Sequence, residues 1–373
     1  MPECENPLWP CAMSGAAACL AGFDDVTVVI HGSSGCYYYP ATLLHTPLKC
    51  TFILENEVIF GSEQRLQEVL EELSGDGKRI AVVMTCVPAI LGEDTRSMLR
   101  DYDVILVDSP GFSGDVETGY QKALSALAPS VDSDTSGINI DGACLFDPYS
   151  GGNVREITRL LANASVPVGT IFCSDRLERA GHASTCTVGT NEDFASGVGE
   201  RLGGTLGLEE IKKTFTRIGA LFSEADPGPV LEEIEHEDER IVRACDKFLR
   251  RFDPPRTVIF SGFSYATFAA YTLKHYLDAD IQYIGSRNEP GDTSFHVGRV
   301  QGFSKVKELI RYYNPDLIVG SSFERSVDPK VAFVGLTPPV RGTIKLASHA
   351  IAGISGSLSF VEDVLNTCLD HGK

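Results

Sequence analysis

VTVVIHGSSGC (26–36) is the stretch on which the fold turns. Five consecutive β-branched residues suit a short strand buried on both faces, and the glycine-rich turn after them cannot extend it. The same kind of run recurs as RIAVVMT (79–85), VILVD (104–108), VPVGTIF (166–172), TVIFSG (257–262), IQYIG (281–285), DLIVG (316–320) and KVAFVG (330–335). Segments of helical period lie between many of them, such as SEQRLQEVLEEL (62–73), VREITRLLANA (154–164), TFAAYTLKHYL (267–277) and FSKVKELIRYY (303–313). This alternation predicts an α/β chain of three Rossmann-like, doubly wound units with parallel sheets. A Ser/Asp-rich stretch (130–137) reads as a first linker, and an acidic stretch (223–240) as a second one running into a helix. They divide the chain into units 1–135, 136–240 and 241–373, the last ending in a glycine-rich loop and a helix. In such sheets ligands gather at the carboxyl ends of the strands. HGSSGC, TCVPAI (85–90), DSPGFSG (108–114) and GFSYAT (262–267) all fall there.

Composition narrows the function classes. The 373 residues carry 32 Lys plus Arg against 51 Asp plus Glu, a net charge of -19. Neutralising phosphates needs a basic face, so nucleic acid is not an expected partner. No run approaches the roughly 18 apolar residues of a membrane helix. The opening MPECENPLWP lacks a basic region followed by an apolar one, so it does not read as a secretion signal, and a cytoplasmic protein is expected. Eleven cysteines, an odd number, argue against a disulfide framework and for reduced thiols with a metal site.

Cys11 lies in PCAMSGAAACLAG ahead of the first strand, Cys36 ends HGSSGC, and Cys86 opens the loop after RIAVVMT. Gly32 and Gly35 let the backbone of the Cys36 turn approach a bulky ligand, and Pro88 stiffens the Cys86 loop. Three thiolates from separate strand ends can converge as soft ligands on iron and sulfur. Spacing alone leaves alternatives. Structural zinc usually draws on paired, closely spaced ligands, which are missing. His31 could pair with Cys36, but no nucleophile elbow accompanies it. Cys144, Cys173, Cys245 and Cys368 lie in apolar or helical stretches and read as small hydrophobes.

The residues around the three cysteines carry a resemblance. CAMSG (11–15), VIHGSSGC (29–36) and MTCVPAILGEDT (84–95) together resemble the N-terminal pattern of the nitrogenase component 1 family. ENEVIFGSEQRL (55–66), SPGFSGDVETGY (109–120), INIDG (138–142), PDLIVGSSFE (315–324) and GISGSLSFVEDV (353–364) resemble further segments of it, so the likeness runs along nearly the whole chain. It implies a component 1-like fold and a [4Fe–4S] cluster held by Cys11, Cys36 and Cys86, with Gly32 and Gly35 in the cluster loop. It also implies a separate NifH-like iron protein that binds ATP and delivers electrons. This chain has no G-x-x-x-x-G-K-[ST] loop and is not expected to bind ATP itself.

The cysteine and histidine that anchor an iron–molybdenum cofactor have no counterpart here, which moves the expectation away from nitrogen reduction. The compact single-subunit form resembles the branch that reduces and cyclises a nickel tetrapyrrole, Ni-sirohydrochlorin a,c-diamide, in coenzyme F430 biosynthesis of anaerobic archaea. A homodimer is then expected, with cluster sites near an isologous interface. His31 and His182 are candidate proton donors, having the right ordinary pKa, and Tyr37 to Tyr39 are weaker ones. Arg176, Arg179 and Lys49 could meet substrate carboxylates. Cys4, Asp24 or Asp25 could supply a fourth cluster ligand. Two other functions stay open: reduction of another tetrapyrrole or small sulfur compound, and a non-enzymatic scaffold for cofactor assembly.

Overall fold

The computed structural model describes residues 8–342 and 348–372. Its first unit holds β1 (Val26–His31), β2 (Lys49–Cys50), β3 (Arg79–Met84) and β4 (Val104–Asp108), with α1 (Ala12–Leu20), α2 (Ser34–Leu44), α3 (Glu55–Phe60), α4 (Glu63–Leu73), α5 (Cys86–Leu91), α6 (Thr95–Met98) and α7 (Val116–Leu127). The second holds β5 (Ile138–Asp141), β6 (Val168–Ile171), β7 (Cys186–Gly189) and β8 (Glu200–Gly204), with α8 (Ser150–Asn163), α9 (Leu177–Ala180), α10 (Leu208–Leu221) and α11 (Gly228–Leu249). The third holds β9 (Arg256–Ser261), β10 (Asp280–Ser286), β11 (Val297–Arg299), β12 (Leu317–Gly320) and β13 (Ala332–Gly335), with α12 (Phe263–Leu277), α13 (Phe303–Tyr313), α14 (Ser322–Val327) and α15 (Gly353–Asp370).

Every pairing among these strands is parallel, in the orders β2-β1-β3-β4, β6-β5-β7-β8 and β11-β10-β9-β12-β13. The expected α/β architecture of three parallel sheets is present. In each sheet the first strand of the unit lies inside, with later strands on both sides. That places a topological switch point, and so a ligand crevice, at the carboxyl ends of β1, β5 and β9.

All eight β-branched runs lie in strands. β2, β5, β7, β8 and β11 carry no such run; apart from β5, which lies in INIDG, they are two to five residues long and rich in polar residues or glycine, and only their neighbours define them. The acidic stretch 223–240 runs into its helix early. From Gly228 onward it is the first half of α11, which buries Val230, Ile234 and Ile241 on one face and leaves most of its carboxylates outside. α11 and α15 help join the second and third sheets through one continuous apolar core, whereas the core of the first unit around Phe23, Val28, Ile30 and Tyr120 takes in Cys144, Phe146, Phe172 and Phe194 of the second. No helix among the described residues is long and apolar enough to cross a membrane.

One helix crossing sets the geometry of the first unit. α1 is built of small residues, AMSGAAACL, and is buried along its length. It packs on α7 so closely that a Cβ on Gly15 would stand 1.8 Å from the Val116 carbonyl oxygen. A Cβ on Gly119 would stand 1.6 Å from that of Ala12. Both contacts are to backbone, so no side chain can swing away. Gly119→Ala is therefore expected to destabilise the fold by about 3 kcal/mol, the upper part of the range for overpacking. Denaturant unfolding checks this, and an unchanged midpoint would show that the two helices are not held at this distance.

Candidate metal centre

Three of the cysteines stand where helices begin. Cys11 is the residue that opens α1, Cys36 is the third residue of α2, and Cys86 is the first of α5. No capping side chain hydrogen-bonds the first turn of any of the three. The first N–H of α1, on Ala12, donates to the Gly114 carbonyl at 3.0 Å, and the positive end of each helix dipole faces whatever negative charge gathers there.

The loop after β4 brings two of these sulfurs together. Gly111 N–H donates to Cys86 Sγ at 3.1 Å. A Cβ on Gly111 would sit 3.0 Å from Cys11 Sγ and 3.3 Å from Cys86 Sγ, so the glycine lets the backbone lie against both thiols. An isolated bridge between Cys11 and Asp115 ties the same loop to the start of α1. Cys36 stands on α2, with the Ser33 hydroxyl 3.8 Å from its sulfur. Tyr39, three residues on and so on the same helix face, has its phenol pKa raised by burial and by the neighbouring Cys11 thiol.

Among the described residues no group of three or more His, Cys, Asp or Glu side chains is gathered tightly enough to hold one metal ion. A single ion needs ligands drawn to a point, with sulfurs about 2.3 Å away for zinc. A cluster of several irons is wider and asks only that thiolates surround it. The donor set is all soft sulfur at half-exposed positions, with a backbone N–H already on one of them, which fits an iron–sulfur cluster better than a hard cation.

Burial separates these thiols from most others. Cys19, Cys50, Cys144, Cys173, Cys245 and Cys368 are buried, and of the rest described only Cys186 is half-exposed like the three. Burial pushes the thiol of Cys50 up to about 11 and those of Cys245 and Cys368 up to about 12. It raises Cys19 and Cys144 well above their ordinary value too.

His31 is fully enclosed, which is not the setting of an open proton donor. Its Nδ1 lies 3.2 Å from Thr51 Oγ1, and its Nε2 lies 3.1 Å from Ser62 Oγ and 3.4 Å from Glu93. Ser62 in turn donates to Glu93 at 2.5 Å. The group joins the end of β1, the start of α4 and the loop after α5, and so ties the Cys36 turn to the Cys86 helix. Gly32 belongs to the same seam. A Cβ there would meet Thr85 Oγ1 at 2.1 Å, and Thr85 bonds back to the His31 carbonyl at 2.9 Å. Gly35 is exposed, and a Cβ would find only Ser33 Oγ, at 3.9 Å.

Other candidates lie elsewhere. His182 is exposed and paired with Asp132 at 3.0 Å, beside the second sheet. Asp24 and Asp25 precede β1, at the opposite end of that strand from the Cys36 turn, so they cannot reach the cysteines. Arg176 pairs with Asp25 there, and Arg179 pairs with Asp175. Lys49 is exposed on β2. Cys4 lies outside the described residues. The sequence reading overlooked the cradle at Gly111 and the Ser62–Glu93 pair, although SPGFSG and FGSEQ were on view as motifs.

The chain matches known proteins along nearly its whole length. The family model for nitrogenase component 1 type oxidoreductases matches residues 11–369. A nitrogenase iron-molybdenum cofactor biosynthesis protein, NifE, of Clostridium pasteurianum is 22% identical over 398 residues, covering 95% of this chain and 86% of that protein. The nitrogenase molybdenum-iron protein beta chain of Bradyrhizobium diazoefficiens is 31% identical over 186 residues, which span 42% of this chain and only 36% of the relative. Among solved structures, one titled "Nitrogenase Cp1 at pH 6.5" superposes with a TM-score of 0.82 at 16% identity, covering 98% of this chain and 93% of that one. At that identity the likeness speaks for the fold.

The enclosed histidine gives a test in solution. Desolvation lowers the His31 pKa below its ordinary 6.5, with Glu93 opposing the shift. Below about pH 6.5 the unfolded chain takes up a proton that the folded chain refuses, so this group makes stability fall as the pH drops. His31→Gln cannot titrate and is expected to remove a slope of up to about 1.4 kcal/mol per pH unit. Unfolding wild type and variant from about pH 7.5 down to 5.5 measures the difference, and parallel curves would refute the assignment.

Proposed function

The chain belongs to the nitrogenase component 1 type oxidoreductase family, and from that premise we propose that it is the catalytic component of a reductase whose electrons arrive through a [4Fe–4S] cluster on Cys11, Cys36 and Cys86. The observation that carries this reading is the Gly111 cradle, which lays backbone against two of the three family-position thiols while the other buried cysteines are withdrawn from use. The cluster, when bound, supplies one-electron relay. The protein's own part is to hold the thiols at three helix starts, to donate Gly111 N–H to one sulfur, and to lock the two cysteine loops together through His31, Ser62 and Glu93.

In this reading a NifH-like iron protein hydrolyses ATP and docks to deliver the electrons. The substrate is a nickel tetrapyrrole, Ni-sirohydrochlorin a,c-diamide, which is reduced and cyclised toward coenzyme F430. His182, on the second unit, stays a candidate proton donor, and His31 acts by position. The chain pairs with a second copy. A hydrophobic face supports the pairing, because Tyr38, Leu54, Ile59, Phe60 and Ile90 are each more than three-fifths exposed, with Phe60 at 84%. They stand on or beside α2, α3 and α5, two of which carry cluster thiols, and exposed apolar patches of this kind mark interaction surfaces.

A second reading, a scaffold on which a cofactor is assembled and passed on, is favoured by one finding. The relative matched along most of its own length is by name a cofactor biosynthesis protein, whereas the beta chain is matched over about a third.

Anaerobic purification with iron analysis and EPR tests the cluster. Cys11→Ala, Cys36→Ala and Cys86→Ala are each expected to lose most of the iron and the reduced-cluster signal, and survival of both in all three sinks the proposal. Turnover of the nickel tetrapyrrole with an iron protein and MgATP separates the readings, since a scaffold would take up reducing equivalents without consuming that substrate. Phe60→Asp is expected to convert a dimer to monomers in sedimentation, and a variant that stays dimeric would move the interface elsewhere.

A further inference from the structure

Two of the buried thiols lie against each other across the boundary between the first and second units. Cys19 stands in the last turn of α1, and Cys173 follows the end of β6. Their sulfurs are 3.4 Å apart, and among the described residues no other two cysteine sulfurs are in hydrogen-bonding contact. Both residues are enclosed, at 0% and 1% exposure.

The backbones around them meet as well. Gly22 lies three residues beyond Cys19, and a Cβ on it would stand 2.1 Å from the Cys173 carbonyl oxygen. Asp24 N–H donates to the Asp175 carbonyl at 3.2 Å, and Leu177 N–H to the Asp25 carboxylate at 2.7 Å. The turn after α1 and the loop after β6 are thus tied together beside the two sulfurs. Cys173 itself holds a φ of 56°, in the left-handed region, where a residue with a Cβ is strained. A turn that needed only this backbone would be served better by glycine. Strain of this kind persists where the surroundings hold it and gathers where a side chain has a task.

We propose that Cys19 and Cys173 are a redox pair that peroxide closes to a disulfide, stapling the first unit to the second. Bonded sulfurs stand about 2.04 Å apart, so closure asks for a further approach of roughly 1.4 Å between chains already in contact. In the first step a sulfur of the pair attacks one peroxide oxygen. The O–O bond breaks, one water leaves, and that thiol becomes a sulfenic acid. The other sulfur then attacks the sulfenic sulfur, the S–S bond forms, the S–O bond breaks, and its thiol proton leaves with the oxygen as a second water. Two thiols have together lost two electrons, and one peroxide has been reduced to two waters. Burial and the Cys173 thiol beside it raise the Cys19 pKa well above its ordinary value, so Cys19 rests as a neutral thiol until an oxidant arrives. The bond would join positions 154 apart in sequence, and long loops gain most from a cross-link. Cys11, Cys36 and Cys86 take no part, so the pair stands apart from the cluster reading.

Peroxide treatment of the purified protein tests the pair. Free thiols are then alkylated in denaturant, and unreduced digests are read by tandem mass spectrometry. A peptide joining Cys19 to Cys173, lighter by two hydrogens and split by dithiothreitol, is expected after exposure and not before it. Recovery of both as free thiols under conditions that oxidise the half-exposed Cys186 would overturn the proposal. A link from either one to Cys144, the third thiol in this core, would overturn the pairing. Oxidised wild type is expected to unfold at higher urea than the same sample after dithiothreitol. Cys19→Ala and Cys173→Ala, given the same exposure and verified as folded by far-UV circular dichroism, are expected to show no such difference. Equal midpoints for oxidised and reduced wild type would overturn the staple even if the bond forms.

Discussion

The crossing of α1 and α7 at Gly15 and Gly119 is the constraint from which the first unit takes its shape. Two helices whose backbones touch have no side chains between them to repack, so their relative position is nearly rigid. Cys11 opens one of these helices, and the loop ahead of the other carries Gly111. Fixing the crossing therefore fixes the distance between a thiol and the backbone that lies against it. The sheet does the rest, because the ends of β1 and β3 launch the Cys36 turn and the Cys86 helix from adjacent, hydrogen-bonded strands.

Much of this could be read from the chain because β-branched runs and glycine turns are local signals. VTVVI and RIAVVM announce their strands whatever surrounds them. β7, as CTVG, owes its conformation to β5 beside it and β8, as ERLGG, to β7, and no local reading could find them. The point at which the acidic linker passes into α11 was unreadable for another reason. Its carboxylates look like a solvated run, and the buried face rests on Val230, Ile234 and Ile241 alone.

At the site, the cysteines were legible by their loops and the geometry was not. Nothing in SPGFSG says that its first glycine will lie against two sulfurs from residues far away in sequence. His31 shows the opposite failing. Its type suggested proton transfer, but residue type does not report burial, and four neighbours from three different segments close it off. Asp24 and Asp25 were near the right strand in sequence and at its wrong end in space.

The hydrophobic face on α2, α3 and α5 has a consequence for how the protein matures. Those helices also present Cys36 and Cys86. On the proposed cluster and pairing, a body seated on Phe60 and Ile90 would roof over the sulfurs as well, so iron and sulfide would have to be loaded while that face is bare. A chain in that waiting state shows solvent both its reactive thiols and its stickiest side chains. On that proposal metal loading and assembly would be ordered events, with the uncovered chain the short-lived one.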